Sequence, residues 1–136
     1  MEVSSEIKKS YQLALDVREN AYAPYSNFKV GSAIKFKGHD KVFVGCNVEN
    51  ASYGGCICAE RNAILNSVAT IGKSEIEYVI VVTHEQEPAV PCALCLQTFA
   101  EFYEPSVPVY LANLDGIKKV VTFKDLLPIP FNSFTS

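Results

Sequence analysis

The stretch IEYVIVVT, residues 76–83, is almost continuously apolar. Such a run is typical of a strand buried on both faces, so we expect it to lie centrally in a sheet. Before it we expect a helix over about 58–69, with Ile64 and Val68 on its buried face. After it, Pro91 is expected to open a second helix, because proline suits a first helical turn. Strands that alternate with helices predict an α/β layered fold.

Shorter elements on both sides extend this pattern. An amphipathic helix capped by a serine is expected over residues 4–23, where Pro24 ends it. Residues 28–36 and 42–49 each alternate with a period of two and flank a Gly-His-Asp turn, which predicts a β-hairpin. Three further elements are expected near the C-terminus: strands at 107–111 and 120–123 and a helical turn at 126–128.

Length and composition favour a single domain over residues 1–136. Hydrophobic residues make up 49% of the 136 positions and charged residues 20%, which suits one packed core. No apolar run approaches the ~20 residues of a membrane span. The N-terminal stretch lacks a basic region followed by an apolar core, so a secretory signal is not expected. A net charge of −3 argues against nucleic acid as a partner. Five cysteines, an odd number with metal-like spacing, favour a reducing cytoplasmic setting.

Three cysteines lie at the expected starts of the two helices that flank the central strand. Cys92 and Cys95 share a helix face, and Cys58 and Cys92 fall at helix N-termini, where free N–H groups favour thiolate. Three thiolates can hold one Zn²⁺ and leave a fourth position open for water, as in catalytic zinc sites. Glu60 is then a proton carrier beside the metal. The expected reaction is hydrolytic loss of an amino group from an electrophilic ring carbon.

A structural zinc site is the alternative interpretation of these cysteines. Cys56 and Cys58 could pair with Cys92 and Cys95 as a zinc knuckle in a non-catalytic interaction module. The 33 residues between Cys58 and Cys92 exceed the ligand loops typical of zinc ribbons, and a structural site has no use for a neighbouring glutamate. We therefore expect Cys56 to be a neighbour of the site. Cys46 alternates with valines and is expected to be a buried thiol.

Three polar side chains near this site also suggest roles. Asn47 and Glu49 are expected on one strand face, about 6–7 Å apart, where an amide and a carboxylate suit two adjacent sugar hydroxyls. Ordinary solvated residues at a strand end are the alternative for this pair. Arg61 directly follows the glutamate and is expected to offset the negative charge of three thiolates on one zinc ion. Neither histidine is assigned a role.

Several stretches resemble the small homotetrameric zinc-dependent cytidine deaminases. These are YAPYSxFxVG at 22–31, GxNVENASY at 45–53, CAERNAI at 58–64, PCxxC at 91–95 and LLPxxF at 126–131. A cysteine as first ligand favours this family over relatives that act on nucleotides or polynucleotides, which usually place histidine there. The family commonly has Gly-Ala between the paired cysteines and arginine after the second, where this chain has Ala93, Leu94 and Leu96.

The resemblance implies a three-layer fold with a mixed five-stranded sheet flanked by helices, one Zn²⁺ per subunit and a homotetramer. It implies hydrolysis of cytidine and 2′-deoxycytidine to uridine and 2′-deoxyuridine with release of ammonia, in pyrimidine salvage. Zinc-bound hydroxide would attack C4 of the base, with Glu60 as proton shuttle. Alternatives among enzymes are deamination of a related aminopyrimidine nucleoside or antibiotic, and editing of nucleic acid, which the acidic balance disfavours.

The resemblance also implies roles at matching positions. Phe28 would pack on the pyrimidine, Asn47 and Glu49 would hold the ribose 3′-hydroxyl, and the backbone at Ala59 and Cys92 would contact the base. The implied residues are the zinc ligands Cys58, Cys92 and Cys95, the substrate contacts Phe28, Asn47, Val48, Glu49 and Ala59, and the neighbouring-subunit contacts Ala51, Tyr53 and Phe131.

Overall fold

The computed structural model describes residues 2–132 and contains a mixed five-stranded sheet. The strands are β1 (Gly31–Phe36), β2 (Val42–Cys46), β3 (Ile76–Val82), β4 (Pro108–Asn113) and β5 (Gly116–Thr122). They lie in the order β2-β1-β3-β4-β5, so the expected central position of β3 is confirmed. Strands β3 and β4 pair in parallel and the other neighbours pair antiparallel, as the predicted hairpin of β1 and β2 requires.

Helices cover both faces of this sheet, which confirms the three-layer α/β fold. They are α1 (Ser5–Arg18), α2 (Ala59–Ile71), α3 (Ala93–Phe99) and α4 (Phe123–Leu126), with a 3₁₀ turn at Tyr53–Gly55. On one face, α1 packs through Ile7 and Ala14 against Ile80 of β3. On the other face, Ile64 of α2 and Phe99 of α3 join a larger buried cluster with the strands. No helix among residues 2–132 is long and apolar enough to cross a membrane.

Helix α1 is shorter than the sequence pattern predicts. Ser4 caps it as expected, since its side chain accepts a hydrogen bond from the backbone N–H of Ile7. The helix ends at Arg18 instead of residue 23 because the backbone of Tyr22 is engaged elsewhere. The N–H of Tyr22 donates to the carbonyl of Asn47 (3.0 Å), and its own carbonyl accepts from Glu49 N–H (2.8 Å). The segment after α1 therefore pairs with the segment after β2.

The two hairpin strands are also shorter than expected. β1 begins at Gly31 and β2 ends at Cys46, because residues 47–49 leave the regular ladder and pair with the chain around Tyr22 and Ile57. Gly45 allows α2 to approach β2 closely, since a Cβ atom there would overlap the carbonyl oxygen of Ala59. The absence of a side chain at Gly45 therefore allows the first turn of α2 to pack directly against β2.

Helices α2 and α3 begin close to the predicted positions. Cys58 and Cys92 are their N-cap residues, so Pro91 lies just outside α3 instead of in its first turn. Gly72 ends α2 with a φ of +73°, a backbone conformation that favours glycine. The prediction that Val68 lies on the buried face of α2 is wrong, because Val68 is 41% exposed.

The C-terminal elements differ in extent from the prediction. Strands β4 and β5 are each longer than expected, and α4 lies three residues earlier than the predicted turn at 126–128. The reason for the earlier helix is a capping box at its start. Thr122 accepts a hydrogen bond from the N–H of Asp125, whose carboxylate accepts one from the N–H of Thr122. Residues 133–136, which we expect from the sequence to form a tail after the helical turn, lie outside the described residues.

Candidate active site

The three predicted metal ligands lie together at the meeting point of two helix N-termini. The sulfur atoms of Cys58, Cys92 and Cys95 are all within 4.8 Å of one another, and those of Cys58 and Cys92 are 3.5 Å apart. Two sulfurs bound tetrahedrally to one zinc ion at ~2.3 Å would be roughly 3.8 Å apart. Spacing and donor chemistry therefore fit a zinc ion held by three cysteines.

Cys56 is not a member of this cluster. Its sulfur accepts a hydrogen bond from the backbone N–H of Asn50 (3.3 Å) and donates to the carbonyl of the same residue (3.6 Å). Within residues 2–132, the cluster of potential metal ligands has three members and not four. The structure therefore does not form the four-cysteine knuckle. Cys46 is half-buried instead of fully buried, and burial raises the pKa of its thiol.

The thiols of this cluster differ in acidity. Hydrogen bonds from Cys95, Arg61 and Cys92 lower the pKa of Cys58 to about 5, although burial opposes them. The Cys95 pKa is raised, first by its bond to Cys58 and then by burial. One thiolate therefore forms readily, and further ionisation places like charges together in a buried space. A divalent cation would remove that repulsion, which is a second reason why the donor set fits a metal.

Glu60 lies in the first turn of α2 and is 4% exposed. Burial raises the pKa of its carboxyl to about 7, and the neighbouring Cys58 thiolate adds to this effect. A group that titrates near neutral pH can both accept and release a proton. The side chain lines the same cavity as Cys58 and Cys92. This arrangement is suited to general acid–base chemistry next to a metal.

The cavity beside the cluster has a volume of about 410 Å³ and is walled mainly by apolar side chains. Its size suits a small organic molecule, and its few polar groups can fix the orientation of that molecule. The lining residues are Ser26, Phe28, Val30, Asn47, Glu49, Cys58, Ala59, Glu60, Val81, Thr83, Ala89, Val90 and Cys92. Four predicted substrate contacts, Phe28, Asn47, Glu49 and Ala59, are among them, whereas Val48 is not.

Asn47 and Glu49 line the cavity from irregular backbone beyond β2, and not from a strand face as expected. The Asn47 side chain accepts from the N–H of Val30 (2.8 Å) and donates to the carbonyl of Phe28 (2.7 Å). The Glu49 carboxylate accepts from the backbone N–H groups of Tyr25 and Ser26 and from the Ser26 hydroxyl. Both side chains therefore hold the segment that carries Phe28.

The three residues predicted to reach a neighbouring subunit lie outside this cavity. Ala51 is exposed, Tyr53 is 76% exposed and Phe131 is 58% exposed. The ring of Tyr53 meets that of Tyr25 edge-on at 6.3 Å. The backbone of Phe131 is bonded in both directions to the side-chain amide of Gln97 on α3. All three residues therefore lie at the surface of one chain.

Arg61 is positioned as predicted, next to the thiol cluster. Its Nη2 donates to the sulfur of Cys58 (3.7 Å) and to the carbonyl of Cys56 (3.4 Å). The chain departs from the resembled family at three positions near the cluster, of which Ala93 is exposed. Leu94 is 66% exposed, and Leu96 is buried in the larger core cluster. Arg61 is thus a cation in direct contact with the cluster.

Sequence reasoning did not identify several residues of the cavity wall. Val81 and Thr83 line it at the end of β3. His84 is not among the lining residues, but its ring packs against that of Phe28 at a centroid distance of 5.1 Å. The period of two along β3 places Val81 and Thr83 on one face, which was a usable signal. The sequence did not indicate that the cavity would open on this face.

Residues 4–111 match the family described as "Cytidine and deoxycytidylate deaminase zinc-binding region". The chain belongs to this deaminase family. It is 40% identical over 120 residues to the cytidine deaminase of Halalkalibacterium halodurans, with 88% of this chain and 89% of the relative covered. It is 38% identical over 127 residues to that of Sporosarcina psychrophila, with 93% and 92% covered.

Solved structures of this deaminase family have the same fold. The chain is 42% identical to the cytidine deaminase of Burkholderia pseudomallei, with a TM-score of 0.85, and 95% of this chain and 100% of that chain are covered. The Mycobacterium leprae cytidine deaminase gives a TM-score of 0.78 at 34% identity. The predicted family, the fold and the zinc cofactor are confirmed by these matches together with the three-cysteine cluster.

Proposed function

We propose that the chain catalyses the hydrolytic deamination of cytidine and 2′-deoxycytidine to uridine and 2′-deoxyuridine, with release of ammonia, and serves pyrimidine salvage. One observation carries this proposal. A buried carboxyl with a pKa of about 7, that of Glu60, shares a nucleoside-sized cavity with the metal-binding sulfurs. The relatives named cytidine deaminases support the choice of substrate.

The cavity orients a nucleoside with its base towards the thiol cluster. Asn47 and Glu49 line the same cavity and bind the ribose 3′-hydroxyl, while the Phe28 ring packs on the pyrimidine. The backbone N–H of Ala59 is at the first position of α2, where it has no partner within the helix, so it can donate to the base. These contacts bring C4 of the ring to Glu60.

Proton transfer is the task of Glu60. A zinc ion held by Cys58, Cys92 and Cys95 would supply a Lewis acid that makes water nucleophilic near neutral pH. The Glu60 carboxylate takes a proton from the attacking water and delivers it to N3 of the ring. It then takes the remaining proton from the oxygen now bonded to C4 and delivers it to the amine as the C4–N bond breaks, so that water and cytidine become uridine and ammonia. The side chain ends in the state in which it began.

The experiment that tests this function adds cytidine and 2′-deoxycytidine to purified protein. We expect the ultraviolet spectrum to change to that of the uracil products, and ammonia to appear in equal amount. Removal of zinc with a chelator is expected to abolish turnover, and added zinc to restore it. A zinc-loaded protein that leaves both nucleosides unchanged would contradict the proposed function.

Arg61 is proposed to offset the charge of the metal site. Three thiolates and one Zn²⁺ sum to −1, and the guanidinium contacts the Cys58 sulfur directly. We expect Arg61→Ala to lower zinc retention and turnover, and Arg61→Lys to restore part of each. Zinc content measured by atomic absorption, together with the rate, checks this. Unchanged values in Arg61→Ala would exclude the role.

The chain is further proposed to form a homotetramer with composite sites. Ala51, Tyr53 and Phe131 lie on the surface of one chain, where they can reach a neighbouring cavity. Light scattering is expected to give four times the subunit mass. Inactive Glu60→Ala subunits that are mixed and reassembled with Phe131→Ala subunits should recover activity, because some sites would combine two intact halves. A monomeric mass, or no recovery, would refute the composite site.

The remaining predictions concern domain and location. Two buried clusters on the two faces of one sheet support a single domain over the chain. All five cysteines are free, which supports a reducing, cytoplasmic setting. Cell fractionation followed by thiol labelling checks the location. Recovery of the protein in the fraction of an oxidising compartment would contradict the cytoplasmic location.

A further inference from the structure

Thr83 is the residue directly after β3, and its hydroxyl is buried without a partner. The residue is 1% exposed and lines the cavity together with Glu60 and Phe28. Its backbone N–H donates to the carbonyl of Ala112 (3.1 Å), but its Oγ1 has no hydrogen-bond partner among residues 2–132. By contrast, the buried hydroxyl of Ser67 donates to the carbonyl of Ile64. The hydroxyl of Thr83 is therefore a polar group that the fold itself leaves unsatisfied.

An unpaired hydroxyl in this position costs stability, and a buried polar group of this kind is normally paired with protein, water or ligand. No described residue pairs it, and Val81, Ala89 and Val90, which line the same cavity, have apolar side chains. Thr83 lines the cavity, and its buried hydroxyl has no partner among residues 2–132, so a molecule bound in the cavity is the remaining source of a partner.

The polar side chains that are assigned to the ribose are also held by bonds within the fold. Asn47 is bonded to the backbone of Phe28 and Val30, and Glu49 is bonded to the segment at Ser26. We call these bonds of Asn47 and Glu49 to residues 25–30 the clamp. Besides the thiols, Glu60 and Thr83 are the polar lining side chains that do not take part in it. Thr83 comes from the sheet and Glu60 from α2, so the two approach the cavity from different layers.

We propose that Thr83 is a substrate-binding residue whose hydroxyl hydrogen-bonds the polar edge of the pyrimidine ring. This inference rests on the proposed deamination. The substrate ring edge carries an acceptor nitrogen and a donor amine, and the product carries a donor N–H and an acceptor carbonyl. A hydroxyl is both donor and acceptor and can rotate. Thr83 can therefore bond the ring edge before and after the reaction.

The test compares two substitutions at this position with a control elsewhere. Thr83→Val keeps the shape and removes the hydroxyl, and we expect kcat/KM for cytidine to fall about 3- to 10-fold, the value of one ordinary hydrogen bond. Thr83→Ser keeps the hydroxyl and should stay within about 2-fold of the unmodified chain. Ser67→Ala, which removes a buried hydroxyl that already has a partner, should lower Tm and leave kcat/KM unchanged.

Stability and binding separate this role from a structural one. Thr83→Val should retain zinc and show an equal or higher Tm, because it removes an unpaired buried group. Its affinity for uridine, measured by calorimetry, should fall by a similar factor. A crystal of the uridine complex should place Oγ1 within about 3.2 Å of a ring nitrogen or oxygen.

The failures of the two proposals are distinguishable. If the unmodified, zinc-loaded chain does not convert cytidine, the proposed function fails whatever Thr83 does. If it does convert cytidine, an unchanged kcat/KM in Thr83→Val overturns the role of Thr83. Equal losses in Thr83→Val and Thr83→Ser would also overturn it, as would loss of zinc or a lower Tm that accompanies the loss of activity.

Discussion

Two parts of the cavity wall are built in different ways. At the metal end, Cys58 and Cys92 cap two helices, and Glu60 is fixed in the first turn of α2. Elsewhere in the cavity wall, Asn47 and Glu49 project from irregular backbone and are held by bonds to the segment at 25–30. The metal end is thus placed by helices packed on the sheet, and the other part by side chains that tie two loop segments together.

Side chains for catalysis and side chains for substrate recognition are therefore positioned by different means in this fold. Regular helices set the positions of sulfur and carboxyl groups to the accuracy that proton transfer needs. The clamp in the other part of the wall positions an aromatic ring through a few hydrogen bonds to backbone. We therefore expect substitutions at the metal end to change kcat, and substitutions in the clamp to change KM and local stability.

The largest effect is expected from Glu60→Gln. The amide cannot shuttle protons, so kcat should fall by about 10²- to 10⁴-fold. Zinc content and fold should be retained, because glutamine has nearly the same shape and removes a buried ionisable group. Steady-state rates with cytidine and zinc analysis measure both. Glu101→Gln, an exposed position away from the cavity, is the matched control. A Glu60→Gln variant with kcat near that of this control would refute the proton shuttle.

The same contrast explains what could be predicted from the sequence. The starts of α2 and α3 were predictable because proline, cysteine and the hydrophobic period are local signals. The exit of residues 47–49 from the ladder was not, since Asn47 bonds backbone 17 positions away in preference to continuing a strand. The early end of α1 has the same origin, because the bridge between Tyr22 and Val48 is a tertiary contact.

The positions of a second group of residues could not be predicted from the sequence for another reason. The four-residue helical spacing from Ile64 assigned Val68 to the buried face of α2. Val68 is exposed, because the buried residues of this part of the helix are Ala63, Ile64 and Ser67. The period of two along β3 places Thr83 on the same face as Val81, but it does not indicate a cavity there. Its relation to the cavity depends on how β3 is placed relative to α2, which a single sequence does not specify.

The next effect in size is expected from Asn47→Ala, which breaks the clamp. The N–H of Val30 and the carbonyl of Phe28 would lose their partners, so KM for cytidine should rise about 10-fold and the free energy of unfolding should fall by about 1–3 kcal/mol. Asn47→Asp keeps the acceptor for Val30 but not the donor for Phe28, so it should be intermediate in KM. A rise in KM without loss of stability would contradict the clamp and leave only a contact with substrate.

A smaller, pH-dependent effect is expected from Glu49→Gln. The hydroxyl and N–H of Ser26 and the N–H of Tyr25 stabilise the Glu49 carboxylate and lower its pKa below the ordinary value of 4.5. The pKa is lower in the folded state, so the stabilisation is complete above pH 4.5 and is lost as the pH falls through the folded pKa. Glu49→Gln should therefore lower Tm at pH 7 and lower it by less near pH 3.

Thermal unfolding of Glu49→Gln and of the unmodified chain at both pH values tests this. Glu87→Gln, an exposed carboxylate in the loop after β3, is a suitable control because it should give the same Tm as the unmodified chain at each pH. A Tm difference for Glu49→Gln that is equal at pH 3 and pH 7 would show that the carboxylate charge does not stabilise the turn.

The smallest effect on catalysis is expected on the opposite face of the sheet, where polar groups are paired within the fold. Tyr78 is buried under α1, and its hydroxyl bonds that of Ser10 at 2.6 Å. Tyr78→Phe should leave kcat and KM unchanged and cost about 1–3 kcal/mol, because the Ser10 hydroxyl stays buried without its partner. Tyr78→Phe combined with Ser10→Ala should recover part of that stability, since both polar groups are then absent. Urea unfolding of the single and double variants measures the coupling, and a change in kcat would show that the two faces of the sheet are not independent.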